Sequence, residues 1–384
     1  MTEPYVYLED QVAGRERFYG APVRCLTADR LEDVEPCFAA MAECLDQGLH
    51  LAGYASYELG YGLEPKLTAL LPAGRMTPLL AFGAFETVQH QPPLTFDTGC
   101  NLGGLDPAWS LQDYVSRFDR VMDYIRSGDV YQINLTFPMT GTVDGNAMGL
   151  YGDLRQRQPV RYGGVVSLGE PTVVTVSPEL FFQLDGRRIR VRPMKGTAGR
   201  GATQADDDAI ARAMQADDKS RAENLMIVDL LRNDVGRVSE IGSVEVTDLF
   251  TVETFPTLHQ MTSGIEARLC EGIDVPQIFR SLFPCGSVTG APKIRAMEII
   301  REIESGPRGA YCGAIGYIEP GGAACFNVAI RTLSLFGNDQ IVYNVGSAIV
   351  SDSRPQSEYE ECLLKARVMT STLEPSVTVG ALSA

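Results

Sequence analysis

From Ser110 onward, Tyr114, Phe118, Val121, Met122 and Ile125 return at three- and four-residue intervals until Gly128, which predicts an amphipathic helix. Ser110 and Asp113 give it a capping-box-like start. The period then changes. Over residues 130–137, Tyr131, Ile133, Leu135 and Phe137 alternate with Gln132, Asn134 and Thr136, predicting a strand with one apolar face and one polar face. The polar face suits a polar ligand, and an ordinary half-exposed strand fits the same pattern. Upstream, strand-like runs at 5–8, 51–57 and 78–88 surround a helical stretch over 31–46, read as an N-terminal subdomain. Residues 89–109, rich in Pro and Gly, read as its connecting segment. This divides the chain into 1–109, a catalytic segment 110–375 and a tail 376–384.

Residues 172–177 and 180–184 are strand-like, and Asp185-Gly186 is a two-residue hairpin signal before 187–192. Pairing 184 with 187 sets 179 against 192, so Glu179 and Lys195 meet at one end of the hairpin. Lys195 stands between Pro193 and Gly196 in a glycine-rich stretch, 191–201, where Gly199 and Gly201 let a ligand approach the backbone. An acid beside an amine suits covalent or acid–base chemistry. A strand-end salt bridge fits the same placement.

Helical periodicity over 204–231 breaks near 216–218 and carries Glu223, then gives way through 232–238 to a strand at 243–249. His259 sits in a strand-like, partly apolar run. Residues 287–298, with Thr289 and Pro292, form a turn feeding a helix whose free N–H groups face any anion bound there. Residues 311–318, 324–333 and 340–350 read as an antiparallel meander. That register sets Tyr311 beside Arg331 with Gly346 on the third strand, either a carboxylate cradle or plain cross-strand packing. A last helix over 357–372 puts Glu358, Glu361 and Lys365 on one face. Surface pairing explains them; facing Glu223, they make an oxygen site suited to Mg²⁺.

Composition narrows the classes. The 384 residues are 45% hydrophobic and 21% charged, a soluble globular balance. A formal charge of −16 argues against nucleic acid and anionic membrane as partners. Nine cysteines without a C-x-x-C pair point to reduced thiols, and three histidines argue against a histidine-built metal site. The N-terminus has no signal-like segment and no run of about 18 apolar residues occurs, so a cytoplasmic protein is expected.

The order and spacing of S-G-D-V-Y-Q-I-N-L, S-P-E-L-F, R-P-M-K-G-T, A-E-N-L-M-I-V-D-L-L-R-N-D-V-G-R-V, C-G-S-V-T-G-A-P-K-I-R-A-M-E, Y-C-G-A-I-G-Y-I and G-S-A-I-V-S-D-S…E-Y-E-E resemble the chorismate-utilising enzymes over roughly 112–370. The resemblance implies an α+β fold of large antiparallel sheets packed as a sandwich with flanking helices. It implies chorismate as substrate and Mg²⁺ held by Glu223 and Glu361 with Glu358 in support. Gln132 stands where water-adding members carry lysine, so activation of water looks absent. Lys195 in P-x-K-G-T is similar to the branch that aminates chorismate at C4; members that aminate at C2 usually carry alanine there.

On that analogy Glu179 donates a proton to the departing 4-hydroxyl and Lys195 attacks C2. Tyr311, Arg331, Lys365 and the backbone at Gly346 hold carboxylates, and Thr197 and His259 line the ring, with Gln132 and Thr289 beside them. No glutaminase domain fits in the remaining residues, so nitrogen is expected as free ammonia or from a glutamine amidotransferase subunit. The competing readings are amination at C2 with pyruvate loss and a silent chorismate- or tryptophan-binding regulatory subunit. Two positions depart from the family pattern: Ser220, where an acidic residue is common, and Ala348, where glycine is frequent.

Overall fold

The computed structural model describes residues 3–370, apart from 93, 97, 98, 256, 257 and 338 and the side chains of 197, 368 and 370. The expected tail lies outside the described residues. The chain forms two ten-stranded antiparallel sheets with helices around them, the α+β arrangement expected.

In the first sheet, strand Gln132–Asp144 pairs along nearly its whole length with Gln340–Ile349, from Thr142↔Gln340 to Ile133↔Ile349. Beyond these lie Thr332–Leu335, Thr172–Ser177, Tyr162–Ser167 and Tyr5–Asp10. The second sheet runs from Met194–Gly199 through Leu258–Arg268, Arg188–Arg192, Leu180–Asp185, Ala324–Val328 and Ala314–Ile318 to His50–Ala55 and Leu80–Phe85. Strands from the first 109 residues therefore complete both sheets. Even the connecting segment contributes Asn101–Leu102 and Asp106–Pro107 to the edge of Gln132–Asp144.

Strand alternation sets the layers. Val6, Val166 and Val173 of the first sheet cluster with Ala52, Tyr54, Ala81 and Ile315 of the second, a layer of small and medium side chains that lets the sheets approach. Tyr7, Val165 and Val174, one residue out of phase, join the larger core that the helices cover. Helix Leu31–Asp46 buries Val34, Phe38 and Met41 in that core. Each such side chain contributes about 1.5–3 kcal/mol of burial. Helix Leu111–Arg126 begins as its sequence predicts: Ser110 Oγ accepts from Asp113 N at 3.2 Å and Asp113 Oδ2 accepts from Ser110 N at 3.1 Å.

Four details differ from the sequence reading. Helix Asp218–Gly236 runs past 231, because Asp234 is anchored by Lys293 at 2.7 Å and its carbonyl accepts from Ser281 Oγ, holding the last turn. The following strand is accordingly displaced to Glu245–Thr254. The hairpin turns one residue later, with Asp185↔Arg188 paired, and an irregularity between Leu180 and Gln183 brings Leu180 opposite Arg192. The expected meander is split: Ala314–Ile318 and Ala324–Val328 lie in one sheet, Thr332–Leu335 and Gln340–Ile349 in the other. The chain crosses between them at Arg331, whose φ of 51° turns the backbone. No described helix is long and apolar enough to cross a membrane.

Candidate active site

Lys195 stands on the edge strand Met194–Gly199, directly before Gly196. Gly196 has φ +89°, and a Cβ there would lie 3.2 Å from Met214 Cε, so the turn after the lysine needs glycine. The stretch is tied down by Asp207. Its carboxylate accepts from Arg200 Nε at 2.8 Å, from Gly201 N at 2.8 Å and shares a hydrogen with His259 Nε2 at 2.9 Å. The Arg200 and Gly201 hydrogen bonds hold Asp207 well below the usual carboxylate range.

Lys195 Nζ lies 3.1 Å from Glu223 Oε2 and 3.4 Å from Gln132 Oε1. Gln132 brings the polar face of its strand with it: Gln132, Asn134 and Thr136 are all buried. Of the two readings of this polar face, the half-exposed strand does not hold, since the face is turned into the protein. Gln132 Nε2 is buried there without a hydrogen-bond partner.

Glu179 precedes strand Leu180–Asp185 and is 3% exposed. Burial pushes its carboxyl up to about 7, against the Ser287 hydrogen bond, the Met194 backbone N–H and the charges of Lys195 and Arg331. Ser287 Oγ donates to Glu179 Oε1 at 2.7 Å. A carboxyl near 7 can hold or release a proton at neutral pH.

Arg331 is the second cation near Glu179. Burial lowers its pKa, and Nη1 is buried with no hydrogen-bond partner; among the described residues no carboxylate pairs with it. A desolvated guanidinium without a counterion is costly, and an anionic ligand would relieve that cost.

Helices Asp218–Gly236 and Pro355–Thr370 bring the remaining acids. Lys195 and Lys219 both act on Glu223, Glu358 and Glu361, so these carboxylates share one locus. Lys365 Nζ contacts Glu361 Oε1 at 2.7 Å and donates to the Gly346 carbonyl at 2.9 Å. Ser353 Oγ donates to Glu358 Oε1 at 2.7 Å. Burial, then repulsion from Glu361, raises Glu358. Burial also works to raise Glu361, but Lys365, Lys195 and Lys219 carry it below its usual value. Carboxylate oxygens drawn from two helices are the donors a hard cation such as Mg²⁺ takes. Among the described residues no three such side chains are already placed to hold an ion; ammonium groups lie against them instead.

Gly346 fits its place because a Cβ would come within 2.6 Å of Thr136 Oγ1 and 2.9 Å of the Leu135 carbonyl. Ala348, by contrast, is accommodated opposite Asn134. Ser220 packs toward Gly196, with its Cβ 3.6 Å from the position a Cβ would take there.

Other expected residues are placed differently. Both His259 ring nitrogens are engaged, by Asp207 and by Thr254 at 3.0 Å, so the imidazole stabilises the lysine-bearing stretch rather than presenting a free nitrogen to a ring. Thr289 is wholly buried and its hydroxyl donates to the Cys285 carbonyl at 2.9 Å. Tyr311 is buried beside Cys312, and among the described residues no hydrogen bond joins it to Arg331. The Thr197 side chain lies outside those described. Ser287 and Lys219 were not singled out from the sequence. For Lys219 the i,i+4 spacing to Glu223 was the available signal; for Ser287 there was none beyond its place in the 287–298 turn.

A cavity of about 800 Å³ lies elsewhere, lined by Arg17, Tyr162, Arg190, Arg192, Tyr317 and their neighbours. Much of its charge is already paired, Arg192 with Asp248 and Glu253, Arg188 and Arg190 with Glu266.

The chain is 41% identical over 263 residues to aminodeoxychorismate synthase component 1 of Escherichia coli, covering 68% of this chain and 58% of that protein. It is 40% identical over 276 residues to aminodeoxychorismate synthase of Streptomyces griseus, covering 72% and 38%. Anthranilate synthase component 1 of Methanothermobacter marburgensis is 39% identical over 265 residues, covering 69% and 57%. The matches thus span about two-fifths to three-fifths of the length of these relatives. Among solved structures, anthranilate synthase component I of Streptococcus pneumoniae superposes with a TM-score of 0.79 at 25% identity, covering 93% of this chain and 92% of that one. The menaquinone-specific isochorismate synthase of Escherichia coli shares the fold, with a TM-score of 0.76 at 18% identity and 96% and 89% coverage. The sequence profile of chorismate binding enzymes matches residues 3–371, and the chain belongs to that family.

Proposed function

We propose that the chain aminates chorismate at C4, giving 4-amino-4-deoxychorismate with the pyruvyl ether intact. The observation that carries this reading is a buried Glu179, its carboxyl pushed up to about 7, that lies within the field of the Lys195 charge. Lys195 would form a bond from Nζ to C2 as the C4–O bond breaks, the ring double bond shifting between them. The leaving hydroxyl takes the Glu179 proton and departs as water, and the attached amine passes its own proton to the Glu179 carboxylate left behind. Ammonia then bonds at C4 as the ring double bond shifts back and the C2–N bond breaks, and the lysine leaves as the amine with the proton that the added nitrogen gives up. Because Lys195 occupies C2 during the reaction, nitrogen is directed to C4.

Arg331, through its unpaired Nη1, and Lys365, beside the Gly346 carbonyl, are suited to the two substrate carboxylates. Mg²⁺, with Glu223 and Glu361 as donors and Glu358 in support, would screen the negative charge of the substrate in an acidic protein. Relatives named component 1 favour a second subunit as the ammonia source, by analogy a glutamine amidotransferase. The product would serve 4-aminobenzoate and folate synthesis.

Anthranilate formation is the second reading, favoured by nearly equal identity to synthases of both kinds. Incubation with chorismate, Mg²⁺ and ammonium distinguishes them. The expected product retains the enolpyruvyl group; fluorescent anthranilate with released pyruvate would reject amination at C4.

A further inference from the structure

We propose that a divalent cation enters the acidic locus by displacing the Lys195 ammonium from Glu223, so that the lysine is released only once the cation is in place. This rests on the reading of Glu223 and Glu361 as the cation's oxygen donors.

Three carboxylates, Glu223, Glu358 and Glu361, are met by three ammonium groups, Lys195, Lys219 and Lys365. A dication added to such a balanced cluster stands within ion-pair distance of like charge, so one ammonium must withdraw. The three are not equally held. Lys219 has a second anchor in Asp352 at 2.8 Å, and Lys365 has one in the Gly346 carbonyl at 2.9 Å. Among the described residues, the only hydrogen-bond partner of Lys195 besides Glu223 is Gln132 Oε1, at the long distance of 3.4 Å. Lys195 also sits on an edge strand beside a glycine, where small backbone adjustments are inexpensive. Lys219 stands 4.0 Å from Glu223 and is drawn out to Asp352, so Lys195, at 3.1 Å, is the ammonium that occupies Glu223 and the one a cation bound there must displace.

Displacement then imposes an order. Without the cation the side chain is held against Glu223; with it, Lys195 is free to turn toward Gln132 and Glu179. The acid, the nucleophile and the cation donors are thereby coupled through a single side chain.

Calorimetric titration of the whole protein with Mg²⁺ alone, and Mn²⁺ titration followed by electron paramagnetic resonance, test this without turnover. Lys195→Met is expected to bind either ion about tenfold more tightly than the unsubstituted protein, and Lys195→Arg no more tightly than it. Equal or weaker binding by Lys195→Met overturns the displacement. Should that variant fail to fold, a crystal structure of the unsubstituted protein with Mn²⁺ decides: Lys195 Nζ is expected beyond about 4 Å from the Glu223 carboxylate, and a retained ion pair overturns the proposal. Failure of metal to bind at all would instead remove the assignment of Glu223 and Glu361 as donors, and the displacement with it.

Discussion

Ser287 Oγ donates to Glu179 Oε1 across 2.7 Å, joining the turn before helix Lys293–Ile303 to the strand that carries the acid. The hydrogen bond favours the ionised carboxyl, so it offsets part of the upward shift caused by burial. Ser287→Ala is therefore expected to raise the Glu179 pKa further. The pH–rate profile should show its basic limb moved to higher pH, with a modest loss of rate; an unmoved limb would separate Ser287 from the acid.

On the proposed mechanism Glu179 must carry a proton to release the 4-hydroxyl. Amination is expected to fall as pH rises through about 7, and Glu179→Gln to lower turnover by about 10²-fold or more. Stability should fall with rising pH as well. The folded carboxyl titrates near 7 rather than its usual 4.5, so the folded state binds more protons than the unfolded state between those values and loses stability as pH rises through that window. Glu179→Gln should then stabilise the protein at pH 8 by up to about 3 kcal/mol and hardly at pH 4, as read by thermal denaturation.

Arg308 is 3% exposed and Glu304 8%, and their ion pair at 2.7 Å grips the polar strand through the Asn134 carbonyl and the Thr136 N–H. Removing one partner leaves a buried charge. Arg308→Ala is expected to cost about 3–5 kcal/mol in denaturant unfolding. A loss within 1 kcal/mol would show that water enters the site and replaces the pair.

Chelation with EDTA should stop turnover, and Glu361→Ala should raise the Mg²⁺ concentration needed for half-maximal rate by about tenfold or more. Undiminished turnover in excess chelator would contradict the assignment of Glu361 as a donor.

Much of this site could be read from local pattern, and what escaped did so for physical reasons. The Ser110 cap, the alternating Gln132 face and the meeting of Glu179 with Lys195 follow from periods and turn signals that act over a few residues. The hairpin count was wrong at the turn, yet the irregularity between Leu180 and Gln183 restored the juxtaposition at its far end. The split meander was not legible, since a strand-like run through Arg331 gives no sign that the chain changes sheets there. The Glu179–Ser287 contact spans 108 positions and depends on how the sheets pack, which no local pattern encodes. His259 illustrates the reverse case: Asp207, far along the chain, took the imidazole for structure.

The covalent role of Lys195 is tested most directly by intact-protein mass spectrometry after quenching the enzyme with chorismate and Mg²⁺ in the absence of ammonia. The expected result is an adduct of chorismate less one water, mapped to the peptide containing Lys195 and missing in Lys195→Ala. Turnover to aminated product with no such adduct, and with Lys195→Ala as active as the unsubstituted protein, would contradict it.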